Sequence, residues 1–162
     1  FEREIDRLVR EFLKIYGSKK TLLLVGMYEE KLKKKFEKYS NIIFYGKTSQ
    51  EQVFELIKKA RYAVNIIPNR YPYYLQIPTK LLEYLALHCK IITNENVTIL
   101  NLLKRTENLD KVFIMDNHYN LPHIEDLESI KPTCLNVEEF MWDLLIKKSK
   151  ILSIIENFNN AI

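Results

Sequence analysis

Cysteine, glycine and tryptophan are scarce in this chain of 162 residues, which has two Cys, three Gly and one Trp. Cys89 and Cys134 lie far apart and form no metal-ligand spacing, so no disulfide framework is expected and the usage suits a reducing cytoplasm. The three histidines, His88, His118 and His123, have no convincing metal-ligand partners, although Glu125 and Asp126 follow His123 closely. Neither a metal nor a cofactor is expected. No apolar run approaches the ~20 residues of a membrane-spanning helix, and no signal peptide is visible. Excess charge of one sign is lacking too: 25 Lys and Arg against 21 Asp and Glu leave a net charge of +4, too mild to imply a nucleic-acid partner. No internal repeat, low-complexity tract or linker interrupts the chain, so residues 1–162 read as one domain of ordinary size. The chain opens on Phe1 rather than Met, directly into a helix pattern, and is expected to start within a longer protein.

What is present is a regular alternation of helix and strand patterns. Ile5, Leu8, Val9, Phe12, Leu13 and Tyr16 form one face of an amphipathic helix ended by Gly17-Ser18. Residues 21–25 are a continuous apolar run closed by Gly26, the pattern of a strand buried on both faces. A charged helix over about 28–39 follows. Its lysines Lys31, Lys33, Lys34, Lys35 and Lys38 are interleaved with Glu29, Glu30 and Glu37, which reads as a solvated helix face; the alternative is a patch touching an anionic membrane surface. A strand over 42–45 closes on Gly46. Thr48 or Ser49 caps the next helix, with Val53, Leu56, Ile57 and Ala60 facing inward. Residues 62–67 form a third strand stopped by Pro68, and 68–77 a loop rich in Pro, Tyr and Asn. Pro78 opens a helix running to His88; 90–93 is a fourth strand, 97–104 a short helix and 112–115 a fifth strand. After a mixed stretch over 121–136, a closing helix is expected over about 137–158, with Trp142 packing against the body. Strands alternating with helices over short connections specify an α/β fold, a Rossmann-like doubly wound parallel sheet of about five strands covered on both faces, with strand 21–25 beside strand 42–45.

In an open parallel sheet, ligands bind beyond the carboxyl ends of the strands. Gly26 and Gly46 stand at two of those ends. They read as plain turn residues or as points where a ligand approaches the backbone closely. The informative stretch is Ile77-Pro78-Thr79-Lys80-Leu81-Leu82-Glu83-Tyr84-Leu85-Ala86. A helix's first turn offers free N–H groups and a partial positive charge, a ready seat for phosphate. Lys80 in that turn opposes the macrodipole, a conflict that an anionic ligand removes. Glu83, one turn on, could meet the same ligand; the plainer reading of the two is a surface Lys–Glu pair worth ~0.3 kcal/mol. Of the loop tyrosines Tyr71, Tyr73 and Tyr74, one or two are expected to face the cleft.

The stretch from Pro78 to Ala86, followed by Lys90-Ile91-Ile92, resembles the P-x-K-x-x-E-Y-x-A signature of group 1 glycosyltransferases, retaining enzymes of the two-domain GT-B fold. Leu22-Leu23-Leu24-Val25-Gly26, Asn41-Ile42-Ile43-Phe44-Tyr45-Gly46, residues 60–68 and Phe140-Met141-Trp142 resemble further segments of that family in the same order. The resemblance spans nearly the whole chain. It implies the C-terminal, donor-binding domain of such an enzyme, with a nucleotide diphosphate sugar as ligand. Glu83 would accept hydrogen bonds from the ribose, Pro78, Thr79 and Lys80 would receive the diphosphate, and Gly46 and Lys47 would border the base.

Three departures accompany the resemblance. A second family glutamate, beside the donor sugar, is Leu75 here, and Gln76 is the nearest polar replacement. The turn at His88-Cys89 lacks the family glycine, and Lys90 stands where proline is common. The family's basic diphosphate clamp lies on a first strand and helix that this chain lacks, as it lacks the N-terminal acceptor domain. The resemblance thus implies half of a transferase, inactive alone, serving a polysaccharide, lipid-linked or protein acceptor in the cytoplasm, with peripheral contact at the inner face of the plasma membrane. The alternative is a non-catalytic nucleotide- or partner-binding Rossmann-like module. A response-regulator-like domain is disfavoured, because Val25, Tyr45 and Ile67 supply no acidic cluster at the strand ends.

Overall fold

Helix α1 (Ile5–Tyr16) buries Leu8, Val9, Phe12 and Tyr16 along one stripe, as its apolar spacing dictates, and Gly17 closes it with an N–H bond to the Leu13 carbonyl. The computed structural model describes residues 4–116 and 118–140. Along them β1 (Leu22–Val25), α2 (Glu30–Phe36), β2 (Ile42–Gly46), α3 (Gln50–Lys59), β3 (Ala63–Asn65), α4 (Thr79–Ala86), β4 (Ile91–Asn94), α5 (Val97–Arg105) and β5 (Phe113–Met115) alternate in the α/β order expected. Ser49 caps α3, its hydroxyl accepting from the Gln52 N–H at 3.3 Å.

Every pairing between these strands is parallel. β1 lies beside β2, Leu22 opposite Ile42, and β4 lies between β3 and β5. An isolated antiparallel bridge, Lys90 to Pro132, stands outside the strands. The single sheet expected is instead two hydrogen-bonded ladders, β1–β2 and β3–β4–β5, because no described segment pairs with the outer edge of β1 or of β3.

The winding is double. α1 and α2 place Leu8, Phe12, Tyr16 and Phe36 in one core with Leu22, Ile42, Ile66, Ile92 and Met115. α4 and α5 place Leu81, Leu85, Ile99 and Leu103 in a second core around Ile91. Successive strand residues point to opposite faces, so Ile91 and Ile92 belong to different cores and β4 is covered on both sides. Coverage of both faces fails on β1–β2: Val25, Ile43 and Tyr45, on the face away from α1, are 38%, 42% and 46% exposed.

Within 121–136 a short 3-10 turn, Asp126–Ser129, seals the first core with Leu127, and Tyr16 anchors this segment by donating its hydroxyl to the Pro122 carbonyl at 2.6 Å. Of the closing helix expected over 137–158, only Val137–Phe140 is described, as a 3-10 turn; Met141, Trp142 and residues 143–162 lie outside the described residues. No helix among the described residues is long and apolar enough to cross a membrane.

Candidate functional site

The carboxyl ends of β1 and β2 cross at their glycines, where the Gly26 N–H donates to the Gly46 carbonyl at 2.8 Å. Both residues sit at positive φ, 116° and 83°, which L side chains rarely adopt. A Cβ on Gly26 would meet nothing within 4 Å, and one on Gly46 only the Tyr28 hydroxyl at 3.9 Å. Conformation, not crowding, requires glycine here, and the space above both residues is open.

On the other ladder the strand ends are built from amides. Asn65 donates to the Thr93 hydroxyl at 3.0 Å, and Asn94 bonds both backbone groups of Ile67. Asn96 caps α5, its side-chain oxygen accepting from the Thr98 and Ile99 N–H groups, and the Thr98 hydroxyl ties down the Tyr74 carbonyl at 2.7 Å. These bonds hold the chain at Ile67, where the loop 68–77 begins, and again at Tyr74 within it. Pro78 is the buried cap residue of α4, and its carbonyl accepts from the Leu81 and Leu82 N–H groups. The Thr79 and Lys80 N–H groups have no hydrogen-bond partner among the described residues. The first turn of α4 therefore presents the free donors that helix geometry leaves there.

A cavity of about 910 Å³ lies between the two ladders and reaches this end of the sheet. Lys47, Gln76, Pro78, Thr79 and Lys80, five of the seven predicted site residues, lie on its wall, together with Gly26 and Tyr73. Gly46 and Glu83 do not. Glu83 turns its carboxylate to Lys80 instead, with Oε2 2.7 Å from Nζ, and its side chain is 22% exposed against 49% for Lys80. Tyr84 does reach the wall; burial, and then the Glu83 charge, push its phenol up to about 12, so it stays a neutral hydrogen-bonding group at ordinary pH. Of the loop tyrosines Tyr73 faces the cavity, while Tyr71 is 74% exposed. Leu75, at the position of the second family glutamate, is 60% exposed.

The wall carries five cationic side chains, Lys20, Lys47, Lys59, Arg61 and Lys80, and no Asp, Glu, His or Cys among the described residues. Lys20, Lys59 and Arg61 precede β1 and β3, at the amino ends of the strands, and Arg61 is paired with Glu128, so Lys47 and Lys80 are the cations of the carboxyl end. Asn65, on the cavity wall, and Asn94, which holds Ile67, shape this end of the sheet and were not singled out from the sequence. The available signal was asparagine at the end of two apolar strands, where β-propensity disfavours it.

The remaining candidates lie elsewhere. His88 stands at φ 56° with Nδ1 3.0 Å from the Thr133 carbonyl, and His118 meets Arg7. No group of three His, Cys, Asp or Glu among the described residues is placed to hold a metal. In the lysine-rich α2, Lys35 is paired with Asp6 of α1. No protein-family model, curated protein or solved structure matches the chain.

Proposed function

We propose that this chain is the donor-binding half of a retaining glycosyltransferase, receiving a nucleotide diphosphate sugar at the carboxyl ends of its parallel strands. The observation that carries this reading is the mouth of the cavity. Lys47, Lys80 and the residues whose unpaired N–H groups begin α4 line the same cavity, and no acidic side chain lies on that wall. Free amides, a helix's partial positive charge and two lysines together suit a diphosphate, both in the ground state and as a leaving group. The open backbone at Gly26 and Gly46 offers room for a flat base. Glu83 reaches a ribose by exchanging Lys80 for the two hydroxyls. In this reading acceptor activation belongs to another domain, and the chain alone is inactive. The setting that goes with this reading is cytoplasmic, with a polysaccharide, lipid-linked or protein acceptor and peripheral contact at the membrane through the exposed lysines of α2.

One observation favours the second reading, a non-catalytic nucleotide- or partner-binding module. Glu83 is engaged by Lys80 and stands off the cavity wall, and position 75, eight residues earlier, is a leucine. Titrating uridine, adenosine and guanosine and their diphosphates against the wild type and a Lys47→Ala/Lys80→Ala variant tests the proposal. One diphosphate should bind more tightly than its nucleoside, and the variant should erase that advantage. Equal affinity of nucleoside and diphosphate for the wild type would overturn it.

A further inference from the structure

Tyr28 lies between β1 and α2, with its ring edge-on to Phe44 of β2, the centroids 5.0 Å apart at 69°. Phe44 packs against the first core, so a fixed strand holds the phenol in place. Its hydroxyl reaches Gly46. Chain neighbours apart, a Cβ built on Gly46 would meet that oxygen, at 3.9 Å, and no other atom within 4 Å. The hydroxyl therefore borders the open space above the two crossed glycines.

That hydroxyl is also uncommitted. Tyr16 and Tyr62 donate theirs to the Pro122 and Leu127 carbonyls, at 2.6 and 3.1 Å. Tyr28, half-buried, has no hydrogen-bond partner among the described residues. The groups around it are apolar: Val25, Met27 and Tyr45 adjoin Gly26 and Gly46 in sequence and are exposed, Met27 to 89%. Bare backbone flanked by uncovered apolar groups suits a flat ring that gains by leaving water. A hydroxyl at the border suits a ring with polar edges, since it both donates and accepts. A nucleobase is such a ring.

We propose that Tyr28 is a specificity-determining residue, whose hydroxyl bonds to the polar edge of the nucleobase seated over Gly26 and Gly46. This rests on the nucleotide reading of the cavity mouth and assigns that site its selector. Because the hydroxyl serves either a donor or an acceptor, it selects by position. A base with a polar atom at the point the hydroxyl reaches gains a bond, and a base with a C–H there leaves the hydroxyl unpaired. Tyr28 stands off the wall that carries Lys80 and the start of α4, so it acts on the base and not on the diphosphate.

Calorimetric titration of uridine, adenosine and guanosine diphosphates and of inorganic pyrophosphate against the wild type and Tyr28→Phe tests it. The variant keeps the ring against Phe44 and removes only the hydroxyl, so its urea midpoint should match the wild type. The preferred nucleoside diphosphate should bind about three- to tenfold more weakly, the size of one hydrogen bond, and the spread among the three bases should narrow. Pyrophosphate should bind as before. Unchanged affinities for all three nucleotides would overturn the proposal, as would an equal loss for pyrophosphate. A lowered urea midpoint would overturn it too, by giving the hydroxyl a partner within the fold. The reading of the cavity mouth is scored separately: it stands if Lys47→Ala/Lys80→Ala loses pyrophosphate, even where Tyr28→Phe changes nothing.

Discussion

Asn94 holds Ile67 by both of its backbone groups: the side-chain Oδ1 accepts from the Ile67 N–H and Nδ2 donates to the Ile67 carbonyl, each at 2.9 Å. The β3–β4 ladder ends at Asn65 opposite Thr93, so the amide side chain supplies the next rung, where the two backbones have begun to part. Asn94 is 1% exposed. The clamp holds the chain where the loop 68–77 begins.

Asn94→Ala leaves the Ile67 N–H and carbonyl without their partner, at about 1–3 kcal/mol for each unsatisfied group. We expect a loss of about 2–4 kcal/mol in urea unfolding. Asn94→Asp keeps the acceptor for the Ile67 N–H but sets a carboxylate oxygen against the carbonyl, and should be no milder. A change below about 0.5 kcal/mol for either variant, the usual size for an inert surface site, would show that the loop is held by other contacts.

Alkaline pH should unfold the protein through its tyrosines. Burial, ahead of any charge, pushes Tyr16, Tyr84 and Tyr119 from 10 up to about 12. The folded state then binds these protons more tightly than the unfolded state. Their contribution is fully present below pH 10 and is lost as pH rises from 10 towards 12. Melting temperature should hold level up to about pH 9.5 and fall beyond it, with phenolate absorbance from these three residues appearing together with unfolding. Ionisation of all the tyrosines near pH 10 with the fold intact would contradict the burial described.

Adjacent residues of β2 should respond in opposite ways. Ile42 is 5% exposed within the first core, and Ile43, one residue on, is 42% exposed on the uncovered face. Ile42→Ala removes packed methyl groups and should cost about 2–4 kcal/mol. Ile43→Lys should stay within about 0.5 kcal/mol of wild type. Chemical denaturation of the two variants reads the difference directly. Similar losses would mean that this face is covered in solution.

Periodicity made the element order, the parallel pairing of β1 with β2 and the inward stripe of α1 legible in the sequence, because burial imposes spacings of two and of three to four residues on apolar side chains. The gap between β1 and β3 was not legible. Residues 21–25, with the pattern of a strand buried on both faces, and residues 62–67 read as strands whichever neighbours pair with them, since backbone hydrogen bonds leave no mark on side-chain pattern. Lys80 and the start of α4 could be found from one short stretch, because the conflict between a cation and a helix's first turn is local. Asn94 could not, because its partner Ile67 is 27 residues away. The turn of Glu83 towards Lys80 rather than towards the cavity is likewise a choice of side-chain direction that spacing leaves open.

That pair gives the sharpest test of function. Without ligand, Lys80 and Glu83 form a half-exposed i, i+3 contact worth ~0.2–0.5 kcal/mol, and the helix dipole acts against the lysine. Lys80→Ala and Glu83→Gln should therefore each leave stability within about 0.5 kcal/mol of wild type. Binding should separate them. Lys80→Ala should weaken a nucleoside diphosphate by about 1.5–3 kcal/mol, as for a charged hydrogen bond, and hardly affect the nucleoside. Glu83→Gln should weaken both by a similar amount, because the ribose is common to the two ligands. Added salt should reduce the diphosphate affinity of the wild type more than that of Lys80→Ala, since screening acts on the charge the variant has lost. Calorimetric titration of both ligands against the three proteins, at low and at physiological ionic strength, reads all four effects. Unchanged affinities throughout would leave Lys80 and Glu83 as a surface ion pair and remove the ribose and diphosphate contacts from the proposed site.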